Sequence, residues 1–178
     1  MGIRQMSGGF FAALKLLMER NIDFRLSVLG EQFRTVPPVF EQAKTRLHSR
    51  IDHWGYQESR ADYVRCLQEA DVVVSTAIHE FFGLSVIEAI SAGARPLLPR
   101  RLAYPEILEP LGHDGAAFFY DGTVQGLADQ LEKAANRKLE NCLSKSHVRC
   151  VAERFFWNRR APEMDEQLEE ATSRISKG

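Results

Sequence analysis

The stretch that decides the fold runs Val72-Val73-Val74-Ser75-Thr76-Ala77-Ile78-His79-Glu80-Phe81-Phe82-Gly83-Leu84-Ser85-Val86-Ile87-Glu88-Ala89-Ile90-Ser91-Ala92-Gly93. Its three valines follow Asp71 as a continuous apolar run. Such a run suits a buried parallel strand better than a half-exposed one. The apolar spacing after Gly83 predicts a helix over 83–92 that Gly93 closes. A strand that passes through a short polar loop into a helix is the repeating unit of an α/β fold. In open sheets of that kind, ligands sit outside the carboxyl ends of the strands.

The same alternation extends in both directions. Helices are expected over 10–20, over 39–47 after Pro37-Pro38, over 59–70, over 105–111 and over 123–135. Prolines suit a first helical turn, Ser59 and Asp62 fit a capping box, and Thr123 is a ready cap. Strands are expected over 24–29, stopped by Gly30, over 51–54, ended by Gly55, over 95–98, ended by Pro99, and over 116–120. This alternation, at spacings of about 20 to 25 residues, predicts an α/β fold: a Rossmann-like parallel sheet with helices on both faces. After Asn136 the strands stop, and 139–154 and 158–175 read as charged helices. The expected organisation is a Rossmann-like domain over 1–136, with the helices of 137–178 packing on the same domain. No strand-like segment precedes Gly8, so the first strand of a doubly wound unit is expected to be missing.

Composition excludes several classes. The chain has 178 residues, 44% of them apolar and 26% charged, with 23 basic against 24 acidic side chains. That make-up is a globular domain rather than a disordered chain. The even charge balance argues against nucleic-acid binding by bulk electrostatics alone. No apolar run approaches the roughly 20 residues that a membrane-spanning helix needs. The opening Met1 to Met6 has no apolar core, so it reads as no signal peptide. Cys66, Cys142 and Cys150 are odd in number and lack metal-ligand spacing. They are expected to be reduced thiols of a cytoplasmic protein, with no metal site.

The chemistry concentrates between Ser75 and Ala89. Gly83 opens its helix with no side chain in the way, so the N–H groups of Gly83, Leu84 and Ser85 can face an anion, aided by the helix dipole. Glu80 lies in the loop, and Glu88 about one and a half turns into the helix. A carboxylate accepts two hydrogen bonds at once, which suits sugar hydroxyls. Carboxylates on either side of an anion site therefore point to a nucleotide sugar, with ribose, diphosphate and hexose in that order. Plainer readings stand beside these. Glu80 and Glu88 are alternatively solvated surface carboxylates, and His79 a structural loop histidine. Glu106 fits a helix-start carboxylate. Phe10, Phe11, Phe118, Phe119, Phe155, Phe156 and Trp157 fit packing roles. Arg95, Arg100 and Arg101 read as a surface cluster or as phosphate contacts. Residues 133–160 carry eight basic and two acidic side chains, a solvated helical face or an RNA contact.

Glu80 and Glu88, with Phe82-Gly83-Leu84 and Glu88-Ala89 between and after them, resemble the glutamate-x7-glutamate motif of retaining glycosyltransferases of family 4, in the two-Rossmann-domain GT-B class. The resemblance continues through Ser91-Ala92-Gly93-Ala94-Arg95-Pro96, Leu26-Ser27-Val28-Leu29-Gly30, Trp54-Gly55-Tyr56 and Phe156-Trp157. It implies the C-terminal, donor-binding half of a GT-B fold. It further implies that Glu88 binds the ribose hydroxyls and that Glu80, the catalytic candidate, touches the donor sugar. Backbone amides around Phe82, Gly83, Leu84 and Ser85 would hold the diphosphate. Gly30 and His79 would line the donor site, and the turn at Tyr56 and Gln57 would flank the base. His79-Glu80-Phe81-Phe82-Gly83 and Tyr104-Pro105-Glu106-Ile107 are similar to the branch that mannosylates the queuosine base of tRNA from GDP-mannose. No metal is implied, because the helix start and basic side chains neutralise charge.

The pattern departs from the family in one place. The family's diphosphate-clamping Lys falls near Gln5, and its Arg falls off the chain, leaving Arg4 as the nearest substitute. The N-terminal Rossmann half is expected to be absent, so this chain alone is expected to bind nucleotide weakly and to transfer nothing. The alternatives are a non-catalytic nucleotide-sugar-binding module, a degenerate remnant, or a hexosyltransferase acting on a lipid or polysaccharide. A nucleotide-sugar epimerase shares the two-domain shape. A dinucleotide-dependent oxidoreductase is disfavoured because no G-x-G-x-x-G follows a strand.

Overall fold

The computed structural model describes residues 3–30, 36–136 and 145–175, with the side chains of 3–7 and 174–175 left aside. Helix α1 (Ile3–Glu19) starts well before the expected position and runs through Gly8 and Gly9. Each mid-helix glycine costs about 1 kcal/mol against alanine. The apolar residues of α1 offset that cost, because the helix packs on two cores at once. Leu14 and Leu17 are buried with Leu26, Ala43 and Leu47. Ala13 is buried with Tyr120, Leu127 and Ala128.

Among the described residues five strands follow in order: β1 (Leu26–Leu29), β2 (Ile51–Gly55), β3 (Val72–Val74), β4 (Arg95–Pro99) and β5 (Phe119–Tyr120). Every observed pair is parallel, with Leu29 beside Gly55, Val74 beside Leu97 and Pro99 beside Tyr120. The intervening helices are α2 (Pro38–Leu47), α3 (Arg60–Glu69), α4 (Leu84–Ala92), α5 (Tyr104–Leu108) and α6 (Val124–Ala135), followed by α7 (Lys145–Glu153) and α8 (Trp157–Ile175). The expected α/β class is what the chain adopts.

Four expectations are corrected. The strands form two sheets, β1-β2 and β3-β4-β5, rather than one. In a doubly wound sheet the strand before the first crossover helix lies at the centre. Among the described residues no strand precedes α1, and the sheet is parted at that place. The parting leaves β3 paired on one side only, so Val72, Val73 and Val74 are half-buried instead of buried. The strand expected over 116–120 shrinks to Phe119–Tyr120, because a 3₁₀ stretch occupies Glu109–Phe118 and turns at Gly112 (φ 54°). The short helix expected over 105–111 gives way to that stretch after Leu108.

The local end signals are realised as read. Ser59 Oγ accepts the Asp62 N–H at 3.0 Å, and Thr123 Oγ1 accepts the Gly126 N–H at 2.9 Å. The Asp62 carboxylate departs from a strict capping box in accepting from the Ser59 hydroxyl, at 2.7 Å. The largest core joins Val86, Ile87 and Ile90 of α4 to Tyr104, Ile107, Phe118 and Val148, Val151 and Ala152 of α7. Of the helix expected over 139–154, residues 139–144 lie outside the described residues, as does Cys142. Cys66 is a buried free thiol, pushed up in pKa chiefly by that burial, and Cys150 is an exposed one. Among the described residues no helix is long and apolar enough to cross a membrane.

Candidate functional site

The loop between β3 and α4 leaves the carboxyl end of its strand and is tied down by Ser75. The Ser75 N–H donates to the Leu97 carbonyl at 3.1 Å, and its Oγ accepts the Ala77 N–H at 3.1 Å. The same Oγ lies 2.7 Å from the Tyr104 hydroxyl, while the Tyr120 hydroxyl donates to the Ser75 carbonyl at 3.0 Å. Arg101 completes the clamp: its Nε donates to the Ala77 carbonyl at 3.0 Å and its Nη2 to the Thr76 carbonyl at 3.4 Å. Burial pushes the Tyr104 phenol up and the Tyr120 phenol up to about 12. Both phenols stay protonated well above neutral pH, and Tyr120 is the donor in its bond to the Ser75 carbonyl.

The loop enters α4 through Gly83, and only glycine fits there. Its φ is +76°, and an added Cβ would stand 3.1 Å from Ile107 Cδ1 and 3.3 Å from the buried Tyr104 ring. A helix leaves its first backbone donors without helical partners. Among the described residues no side chain caps this end. Leu84 is 60% exposed and Phe82 51%, so the tip opens toward solvent. Phe82 packs edge-on against Phe155 at 5.3 Å between ring centres. The result is an open helix N-terminus presenting donors and a positive dipole end.

The two glutamates occupy different surroundings. Glu80 Oε1 accepts the N–H of Phe81 at 3.0 Å and of Phe82 at 3.3 Å. The Phe82 amide, expected to face an anion, is thus engaged by Glu80, which leaves the donors further into α4. Glu88 is half-buried, and its Oε2 accepts the Tyr63 hydroxyl at 2.8 Å. Ser85 and His79 are exposed beside this loop. The other named residues lie at the carboxyl ends of β1 and β2. The Gly30 N–H donates to the Gly55 carbonyl at 3.3 Å. Tyr56 is 62% exposed. Gln57 folds back, its Nε2 donating to the Gly55 carbonyl at 3.4 Å and its Oε1 accepting the Cys66 thiol at 3.9 Å. Arg4 and Gln5 have side chains outside the described residues.

Beside the loop, between α1 and α6, lies a cavity of about 150 Å³ lined by Gly9, Thr76, Ile78, Arg101 and Thr123 among others. It is smaller than the roughly 300–1,000 Å³ of small-molecule sites and holds none of the named glutamates. The three arginines do not form one cluster. Arg95 opens β4, Arg100 stacks over Phe119 at 5.0 Å, and Arg101 serves the loop. The basic C-terminal residues are partly engaged within the chain. Lys145 pairs with Asp71 at 3.3 Å, Arg149 donates to the Ala92 carbonyl at 2.8 Å, and Arg154 to the Glu106 carbonyl. Sequence reasoning missed Ser75, Tyr120 and Tyr63, and read Arg101 as a surface-cluster residue or a phosphate contact rather than as a tie to the loop carbonyls. Their partners lie 22 to 45 positions away, beyond any local pattern.

Parallel α/β architecture with an open helix tip at a strand's carboxyl end defines a nucleotide- or phosphate-binding class. The model of the family "Glycosyl transferases group 1" matches residues 9–150, and the chain belongs to that family. It is 41% identical over 91 residues to a tRNA-queuosine alpha-mannosyltransferase of Drosophila melanogaster, a match covering 51% of this chain and 24% of that protein. It is 28% identical over 155 residues to a GDP-mannose-dependent alpha-(1-6)-phosphatidylinositol dimannoside mannosyltransferase of Mycobacterium tuberculosis, covering 85% of this chain and 37% of that protein. A sucrose synthase of Acidithiobacillus caldus is 40% identical over 98 residues, covering 51% of this chain and 12% of that protein. The matches therefore span well under half the length of these relatives. Among solved structures, the catalytic domain of cholesterol-alpha-glucosyltransferase from Helicobacter pylori shares the fold. Its TM-score is 0.62 at 14% identity, over 83% of this chain and 89% of that one.

Proposed function

We propose that this chain is the donor-binding half of a retaining glycosyltransferase that transfers mannose from GDP-mannose to queuosine in tRNA. The observation that carries the reading is the uncapped, glycine-opened tip of α4, with Glu80 before it and Glu88 within its helix. On this reading the diphosphate sits at the tip, where the N–H groups of Leu84 and Ser85 meet its charge and stabilise it as it leaves. Arg101 adds a cation beside the same loop, and no metal is assigned to the step. Glu88 accepts the ribose hydroxyls, and Glu80 turns from its own loop amides to the mannose. Gly30, Tyr56, Gln57 and His79 border the donor. The mannose and tRNA assignments draw on the names of the relatives. The acceptor is bound by an N-terminal Rossmann half supplied outside this chain.

Calorimetry with GDP, GDP-mannose, UDP and UDP-glucose tests the reading. GDP and GDP-mannose are expected to bind more tightly than the uridine compounds. Glu88→Ala is expected to weaken GDP binding by about 1–3 kcal/mol, through lost charged hydrogen bonds. Glu80→Ala should spare GDP and blunt discrimination for the sugar. A folded sample that binds none of the four would instead mark a degenerate remnant.

A further inference from the structure

We infer that Tyr63 is a positioning residue that fixes the Glu88 carboxylate for recognition of a ribose diol. The inference rests on the donor-site reading above and names a second residue in it. Tyr63 stands in the first turn of α3, the helix whose start Ser59 caps. From there its hydroxyl crosses to α4 and donates to Glu88 Oε2 at 2.8 Å, joining residues 25 positions apart.

The arrangement suits that task for three reasons. First, the donor cannot reverse its role. Burial, and then the hydrogen bond to Glu88, push the Tyr63 phenol up to about 12, so it stays protonated beside the carboxylate. Second, a carboxylate has about four acceptor positions on two oxygens. Tyr63 occupies one position on Oε2, and among the described residues no hydrogen bond is made to Oε1, so acceptor positions remain for a hydroxyl pair. Third, an unrestrained glutamate loses rotamer freedom on binding, which costs affinity. A bond made in advance removes part of that cost and sets the plane of the carboxylate.

A purely structural role, in which Tyr63 only joins α3 to α4, makes a different forecast. Such a role affects stability and treats all nucleotides alike. The two are separated by calorimetry of GDP and 2′,3′-dideoxy-GDP with the parent chain, Tyr63→Phe, Glu88→Gln and the double variant, with thermal melts alongside. The parent is expected to prefer GDP over the dideoxy compound by about tenfold or more. Tyr63→Phe is expected to lower GDP affinity about five- to tenfold and to leave the dideoxy compound within about twofold. Tyr63→Phe added to Glu88→Gln should change nothing further. A parent without preference for the ribose hydroxyls would overturn the assignment of Glu88 and this inference with it. A parent that prefers them, beside a folded Tyr63→Phe that keeps the preference undiminished, would overturn only the role of Tyr63. Should Tyr63→Phe fail to fold, Tyr63→Leu takes its place under the same readout: a ribose preference kept in full would overturn the inference, and its loss with dideoxy-GDP affinity retained would support it.

Discussion

The two ends of α4 are both bounded by glycines in the left-handed region, yet they are built for different purposes. At the C-terminal end, the Gly93 N–H (φ +110°) donates to the Ala89 and Ile90 carbonyls, and Arg149 caps the Ala92 carbonyl. That end is closed by its own chain and covered by α7. At the N-terminal end, Gly83 offers no side-chain cap, and its neighbours Phe82 and Leu84 face solvent. Unpartnered helix donors cost stability unless something else meets them. One helix thus carries a finished end that stabilises the fold and an open end that, on the proposed reading, meets a diphosphate.

Glycine replacement sharpens this contrast most. Gly83→Ala forces an L-residue to φ +76° and presses on buried Tyr104 and Ile107. It is expected to cost about 2–3 kcal/mol in urea unfolding, from backbone strain plus overpacking, and to abolish nucleotide binding. Gly93→Ala carries similar backbone strain, but the atom it meets is the end of the flexible Arg149 side chain, at 2.8 Å. A loss of about 1–2 kcal/mol is expected, with binding intact. Equal losses of binding in both variants would break the contrast.

A smaller and more diagnostic change is Ser85→Asp. A carboxylate in the first turn is expected to stabilise α4 by about 0.3–1 kcal/mol through the dipole. The same charge competes with a bound diphosphate, so GDP affinity should fall about tenfold while the melting temperature rises. An unchanged affinity would remove the anion from the tip.

The smallest effect at neutral pH concerns the tyrosines. Tyr63 and Tyr120 are raised from 10.0 to about 12, each chiefly by burial. A phenol held protonated by the fold contributes stability that is whole below pH 10 and is lost as pH rises through about 12. Spectroscopic titration should show three tyrosines, Tyr63, Tyr104 and Tyr120, ionising late, and unfolding should set in over that window. Early ionisation of every tyrosine would contradict the clamp around Ser75.

How far this was legible in the sequence follows from the range of the signals. Short-range chemistry read true: the Ser59 and Thr123 caps, Pro38 opening α2, and the strand–loop–helix passage into Gly83. Each depends on residues within a few positions. The parted sheet was not legible, because Val72-Val73-Val74 reads the same whether a neighbour lies on one side or two. The strand expected from Ala116 failed for a packing reason. Residues 109–118 are taken up by 3₁₀ turns, and Gly115 packs closely on Leu108, where an added Cβ would be 3.1 Å from the carbonyl oxygen. At the candidate site, the spacing of Glu80, Gly83 and Glu88 was legible because all three lie in one short stretch. The sequence withheld Tyr63, Ser75, Tyr120 and the service of Arg101, whose roles exist only once distant elements meet.

The most direct test is amide chemical-shift mapping of the folded chain titrated with GDP and, separately, with guanosine. The account predicts that GDP moves the Leu84, Ser85 and Val86 amides most, and that guanosine leaves them in place. GDP binding that leaves those amides unmoved, or identical shifts from guanosine, would contradict it.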